Sequence, residues 1–170
     1  YFDPNTNRVP IKVAEPVVSG SLDRYGLNAT QLAAFEKLWQ YGPIGLLQGP
    51  PGTGKTNFIA ALSHYAVTQG GLNSVLILSQ ANESTNHAAE KVLDFSAEYG
   101  GNISIIRVGN AGKVSDRLKD YHSDAIQDRY RQKFKAEIKE RILGIAPRIT
   151  DKLAFVSDLY DMTTELGDVI

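Results

Sequence analysis

The run Gly49-Pro50-Pro51-Gly52-Thr53-Gly54-Lys55-Thr56, entered from the apolar residues Leu46 and Leu47, constrains this chain more than any other stretch. Glycines at 49, 52 and 54 lack a Cβ, so the backbone can wrap closely round an anion and turn successive N–H groups inward. Pro50 and Pro51 stiffen that turn. A helix starting near Lys55 adds unpaired N–H groups and the positive end of its dipole, which favours a bound triphosphate. In this pattern Lys55 neutralises the β and γ oxygens and Thr56 holds Mg²⁺. The residues therefore read as a phosphate-binding loop, with ATP and Mg²⁺ as the ligands.

The surroundings of the loop suggest an α/β domain. Asn28 is placed to cap a helix whose Leu32, Phe35, Leu38 and Trp39 share one face, and Tyr41-Gly42-Pro43 stops it. Residues 44–48 read as a buried strand feeding the loop. The next helix runs to about Thr68 and stops at Gly70-Gly71, and residues 74–79 are apolar enough for a strand covered on both faces. A third unit repeats the scheme. It has a helix over about 84–99 with Ala88, Val92 and Phe95 or Tyr99 inward, Gly100-Gly101 as its stop, and a strand over 103–108. Alternating strands and helices predict a parallel sheet with ligands at the carboxyl ends of its strands.

Beyond Lys113 the chain becomes charged and helix-favouring. Ile126, Tyr130, Phe134, Ile138 and Ile142 recur at helical steps, which predicts a helical hairpin or stalk bent near Gly144 and Pro147. Its first arm, over about 115–143, would reach roughly 40 Å. The domain boundaries are thus an extended, proline-dotted lead-in over 1–26, an ATP-binding domain over 27–112 and a helical insertion over 113–170. A formal net charge of −1 gives no overall attraction to nucleic acid, so such a contact needs a local patch. Zero cysteines exclude disulfides and thiolate metal sites. No apolar run is long enough to span a membrane, and a nucleotide loop argues for an intracellular protein.

Two further groups carry candidate chemistry. The Gln31 amide offers the donor and acceptor that match adenine N6 and N7, while Asn28 followed three residues later by Gln31 is equally a capping box. Residues 79–87 gather polar groups around Asn82 at a helix N-terminus, which suits either nucleic-acid phosphates or helix capping by Asn82 or Ser84. His87 reads as a surface histidine.

The order Leu27-Asn28-x-x-Gln31, the phosphate loop, Asn82 with Ala89-Glu90-Lys91-Val92, then Ile106-Arg107-Val108-Gly109, resembles the N-terminal part of a superfamily 1 helicase core. The branch is that of the nonsense-mediated-decay helicase and senataxin, and the resemblance covers about residues 27–126. It implies a partial RecA-like P-loop NTPase domain followed by a helical insertion. It also implies that Gln31 belongs to the adenine-reading Q motif, Lys55 and Thr56 to motif I, and Asn82 to motif Ia on single-stranded DNA or RNA. The acidic pair of motif II and the arginine finger are not found in residues 1–170, so the chain reads as a helicase fragment that is inactive alone. An incomplete sheet would expose an edge and favour self-association. A protein-remodelling ring ATPase shares the loop but leaves Gln31 without a role. A non-catalytic nucleotide-binding scaffold with a helical arm is the remaining alternative.

Overall fold

The computed structural model describes residues 15–18, 20–41 and 44–145. Four α-helices follow in order: α1 (Ala29–Gln40), α2 (Lys55–Thr68), α3 (Asn82–Tyr99) and α4 (Ser123–Ile145). Short 3₁₀ turns at Asp23–Tyr25, Ala111–Lys113 and Asp116–Tyr121 complete the regular structure. The chain divides into two compact units, one containing residues up to 105 together with 113–118, the other containing 106–112 and the chain from 119 onward.

In the first unit α2 is the centre. Phe58, Ala60, Ala61, Ser63, His64, Tyr65 and Ala66 are all buried, so this helix is covered on most of its surface rather than along one stripe. Helix α3 packs along it through Ala88, Val92 and Phe95, the inward residues that the sequence periodicity requires. Helix α1 contributes Phe35, whose ring meets Phe58 at 5.8 Å and Tyr65 at 5.4 Å in edge-to-face geometry. Leu32, Leu38 and Trp39 lie partly buried against the same cluster.

Buried polar groups in this core are paired. The Tyr25 hydroxyl lies 2.8 Å from His64 Nδ1, and His64 Nε2 lies 3.1 Å from the Gly100 carbonyl oxygen. Since a carbonyl can only accept, Nε2 carries the proton and Nδ1 accepts from Tyr25. Burial pushes the His64 pKa below its ordinary value; the Gly100 bond opposes that shift and the nearby Arg24 charge adds to it.

A ladder of polar contacts fixes residues 113–118 to α3. Asn86 Nδ2 donates to the Lys113 carbonyl at 2.9 Å, Glu90 accepts from the Ser115 hydroxyl, and Asp94 pairs with Arg117 at 2.8 Å. Steps of four along α3 advance about 6 Å, close to the span of two residues in the facing segment. Between these polar rungs Val114 and Leu118 are buried.

The parallel sheet expected from the sequence is not formed. Among the described residues there is no strand, and the one bridge pairs Arg107 with His122. A ladder needs neighbours about 4.8 Å away offering backbone partners, and no backbone hydrogen bond joins 44–48, 74–79 and 103–108 to one another. Nor are these runs covered on two faces: Leu46 is 93% exposed, Leu76 and Leu78 are each 81% exposed, while Ile103 and Ile105 rest on the helical core. The α/β, RecA-like sheet architecture is therefore corrected to a helical one over the described residues. The sheet edge invoked for self-association is absent with it.

In the second unit the Arg107 N–H donates to the Tyr121 carbonyl and the Ser123 N–H to the Arg107 carbonyl. His122 is buried, its Nε2 donating to the Gly109 carbonyl at 2.9 Å. Helix α4 begins at Ser123, after a 3₁₀ turn, rather than near Ser115. Its 23 residues span roughly 35 Å. The expected bend at Pro147 and a second arm lie outside the described residues. No helix among them is long and apolar enough to cross a membrane.

Candidate functional site

The phosphate loop occupies the link into α2 as its residues demand. Gly52 (φ +79°) and Gly54 (φ +77°) both take left-handed backbone angles, and Gly54 is the N-cap residue of α2. No side chain caps that helix, so the positive end of its dipole is left for a ligand. The loop is internally tied: the Thr53 hydroxyl donates to the Pro50 carbonyl at 2.8 Å. Lys55 Nζ folds back and donates to the Gly49 and Pro50 carbonyls, each at 2.7 Å. An ammonium has three donors, so one remains for an anion, and a phosphate can also compete for the other two.

Gln31 joins this loop from α1. Its Nε2 donates to the Thr53 carbonyl at 2.9 Å. The same side chain closes a capping box, with the Asn28 N–H donating to Gln31 Oε1 and the Gln31 N–H donating to Asn28 Oδ1, both at 2.9 Å. The capping reading of Gln31 is thus realised, and the cap additionally braces the loop. Each amide atom keeps one further hydrogen-bonding position, so the adenine reading is not displaced by the cap.

Gln31, Gly49, Pro50, Thr53 and Lys55 line one cleft of about 240 Å³, whose apolar wall includes Leu47, Ala34 and Phe58. Steric limits suit this cradle to an anion approached by bare backbone. A Cβ at Gly49 would stand 2.8 Å from Thr53 Oγ1, and one at Gly54 would stand 2.9 Å from Gln31 Nε2. Pro51, Gly52 and Gly54 shape the loop without lining the cleft.

Thr56 is placed elsewhere. Consecutive helical residues diverge by about 100°, which turns Thr56 away from Lys55 into a second cleft of about 360 Å³ between α2 and α3. There it meets His87, Glu90, Lys91, Asp94 and Arg117. Sequence reasoning did not single out Glu90, Asp94 and Arg117 as neighbours of Thr56; the four-residue spacing of Asn86, Glu90 and Asp94 on one helix face was the available signal. Among the described residues no group of three or more His, Asp or Glu is placed to hold a metal ion.

Asn82 is the first residue of α3 and lines neither cleft. Neither Asn82 nor Ser84 caps that helix: its N-cap is Ala81, which makes no side-chain capping bond, and the Ala81 N–H instead donates to Ser79 Oγ at 3.2 Å. His87 is exposed, 3.9 Å from Glu83.

A family model described as an AAA domain matches residues 26–162. A regulator of nonsense transcripts 1 homolog from Arabidopsis thaliana is 42% identical over 66 residues, which is 39% of this chain and 5% of the relative. An uncharacterized ATP-dependent helicase of Methanocaldococcus jannaschii is 30% identical over 92 residues, 54% of this chain and 13% of the relative. A DNA replication ATP-dependent helicase/nuclease of Saccharomyces cerevisiae is 31% identical over 108 residues, 63% of this chain and 7% of the relative. The chain thus spans only a small part of the length of these curated relatives. No solved structure matches it.

Proposed function

This chain belongs to the AAA domain family, matched over residues 26–162, as a superfamily 1 helicase-like domain, and we propose on that premise that it is the ATP-binding part of an ATP-dependent nucleic-acid helicase or translocase. The observation that carries the reading is the bond from Gln31 to Thr53, which sets a side chain able to match adenine directly against the phosphate loop. An adenine-reading group and a phosphate cradle are both needed to select ATP, and the two share one cleft.

In this reading the loop from Gly49 to Gly54 cradles the phosphates with backbone N–H groups. Lys55 leaves its two carbonyls to neutralise the β and γ oxygens, and the Thr56 hydroxyl supplies an oxygen ligand to Mg²⁺ shared with the nucleotide. Bound ATP supplies a phosphoanhydride whose hydrolysis drives movement along a strand. Asn82, at the N-terminus of α3, contacts single-stranded DNA or RNA. The protein works inside the cell.

Competition for a fluorescent ATP analogue tests the reading. ATP should displace it at least roughly tenfold more effectively than GTP, because only adenine offers the N6 donor and N7 acceptor together. Equal displacement by both nucleotides would remove Gln31 as the base reader.

A further inference from the structure

Helix α4 holds two aromatic rings that its own unit does not bury. Tyr130 is 70% and Phe134 is 62% exposed. Four residues apart, they rise from one face of the helix about 6 Å from each other along its axis. That separation is close to two base steps of about 3.4 Å in a nucleic-acid strand.

Charge surrounds these rings. Helix α4 contains six basic and four acidic residues in a chain whose formal net charge is −1. At about 100° per residue, Lys133 flanks the aromatic row on one side and Arg131 on the other, and Arg141 extends it; Glu137 is the acid on the same face. Local neutralisation is weak. Arg131 reaches Asp128 only at 3.5 Å, with both side chains exposed, and Lys133 makes no hydrogen bond or ion pair among the described residues.

We propose that this face of α4 binds single-stranded nucleic acid, with Tyr130 and Phe134 stacking on alternate bases and Lys133, Arg131 and Arg141 meeting the phosphates. Rings interleaved with cations are the elements of a single-strand platform, since every base has a π face and every linkage a negative charge. A duplex keeps its base faces stacked away from such rings. Protein interfaces are depleted in lysine, which makes the flanking Lys133 a poor fit to an apolar protein partner. The inference rests on the nucleic-acid partner proposed above and gives it a surface.

The test uses the full 170-residue chain with fluorescently labelled twelve-nucleotide oligo(dT), oligo(U) and a duplex of the same length, read by anisotropy. Both rings are exposed, so replacing Tyr130 and Phe134 by alanine should leave far-UV helicity unchanged and weaken single-strand binding at least roughly fivefold. Tryptophan at both positions should restore it. Lys133→Gln with Arg131→Gln should flatten the log–log salt dependence by about 1. Preference of the wild-type chain for one oligonucleotide identifies DNA or RNA as the strand. Unchanged affinity in the alanine variant, no single-strand binding by the wild-type chain, or preference for duplex would overturn the proposal. So would a dimer that the alanine variant dissociates while oligonucleotide affinity stays constant, which would assign the face to a second copy. Nucleotide affinity measured in parallel keeps the two readings apart: failure to bind ATP refutes the proposed nucleotide site and leaves the result on α4 standing.

Discussion

Replacing Gln31 separates its two jobs. Gln31→Ala removes the acceptor for the Asn28 N–H and the donor to the Thr53 carbonyl, both at 2.9 Å and both on the exposed side of α1. Exposed hydrogen bonds contribute about 0.5–1.5 kcal/mol each, and the better helix propensity of alanine returns a few tenths. The expected net loss is about 1 kcal/mol. Gln31→Glu keeps the acceptor for Asn28 and places an acid in the first turn of α1, favourable to the dipole, while losing the donor to Thr53. Urea unfolding should therefore rank wild type and Glu close together with Ala below them by about 0.3–1 M in midpoint. Nucleotide titration should rank them differently. Alanine loses the adenine match, and glutamate loses it while adding negative charge beside the loop, so ATP affinity falls from wild type to Ala to Glu. A wild-type midpoint for Gln31→Ala would refute the bracing role, and an ATP affinity unchanged in Gln31→Glu would refute the proximity of this side chain to the phosphates.

Phe35, fully buried against Phe58 and Tyr65, should cost about 3–5 kcal/mol when cut to alanine, measured by chemical unfolding; a loss below 1 kcal/mol would show that α1 is not part of the core. Gly54→Ala forces a Cβ onto a backbone at φ +77° and to 2.9 Å from Gln31 Nε2, so it should destabilise by about 1–2 kcal/mol and weaken nucleotide binding, whereas an unaffected variant would refute the loop geometry. The His64 pKa lies below its ordinary 6.5 in the folded chain, so below that pH the unfolded chain binds more protons. The stability this contributes is complete above about pH 6.5 and declines as pH falls through the folded-state value, a slope that His64→Gln should remove; unfolding midpoints that rise from pH 7.5 to 5.5 would contradict the buried neutral imidazole.

Local signals carried the helices and missed the sheet. The Asn28–Gln31 cap set the start of α1, and Gly70-Gly71 and Gly100-Gly101 lie just beyond the ends of α2 and α3. Such features are written in neighbouring residues. An apolar run such as 74–79 states only that its side chains favour burial, whereas a strand depends on a partner elsewhere that supplies hydrogen bonds. The same limit explains α4: Tyr130 and Phe134 fit the helical period of the apolar stripe, but period fixes a face and not whether that face is covered. At the site, the loop and the brace from Gln31 were legible because both are short-range motifs. The polar surroundings of Thr56 were not, since Glu90, Asp94 and Arg117 reach it only through the packing of α2 on α3 and the docking of residues 113–118.

The account rests on Lys55 exchanging the Gly49 and Pro50 carbonyls for nucleotide phosphate. Calorimetric titration of ATP with Mg²⁺ into the wild-type chain and Lys55→Met, alongside thermal melts of both, measures that exchange. A charge-assisted contact to phosphate is roughly twice as strong as a neutral hydrogen bond, so the variant should keep its fold and lose at least about tenfold in ATP affinity. Equal affinity in the two proteins, or no ATP binding by the wild-type chain, would contradict it.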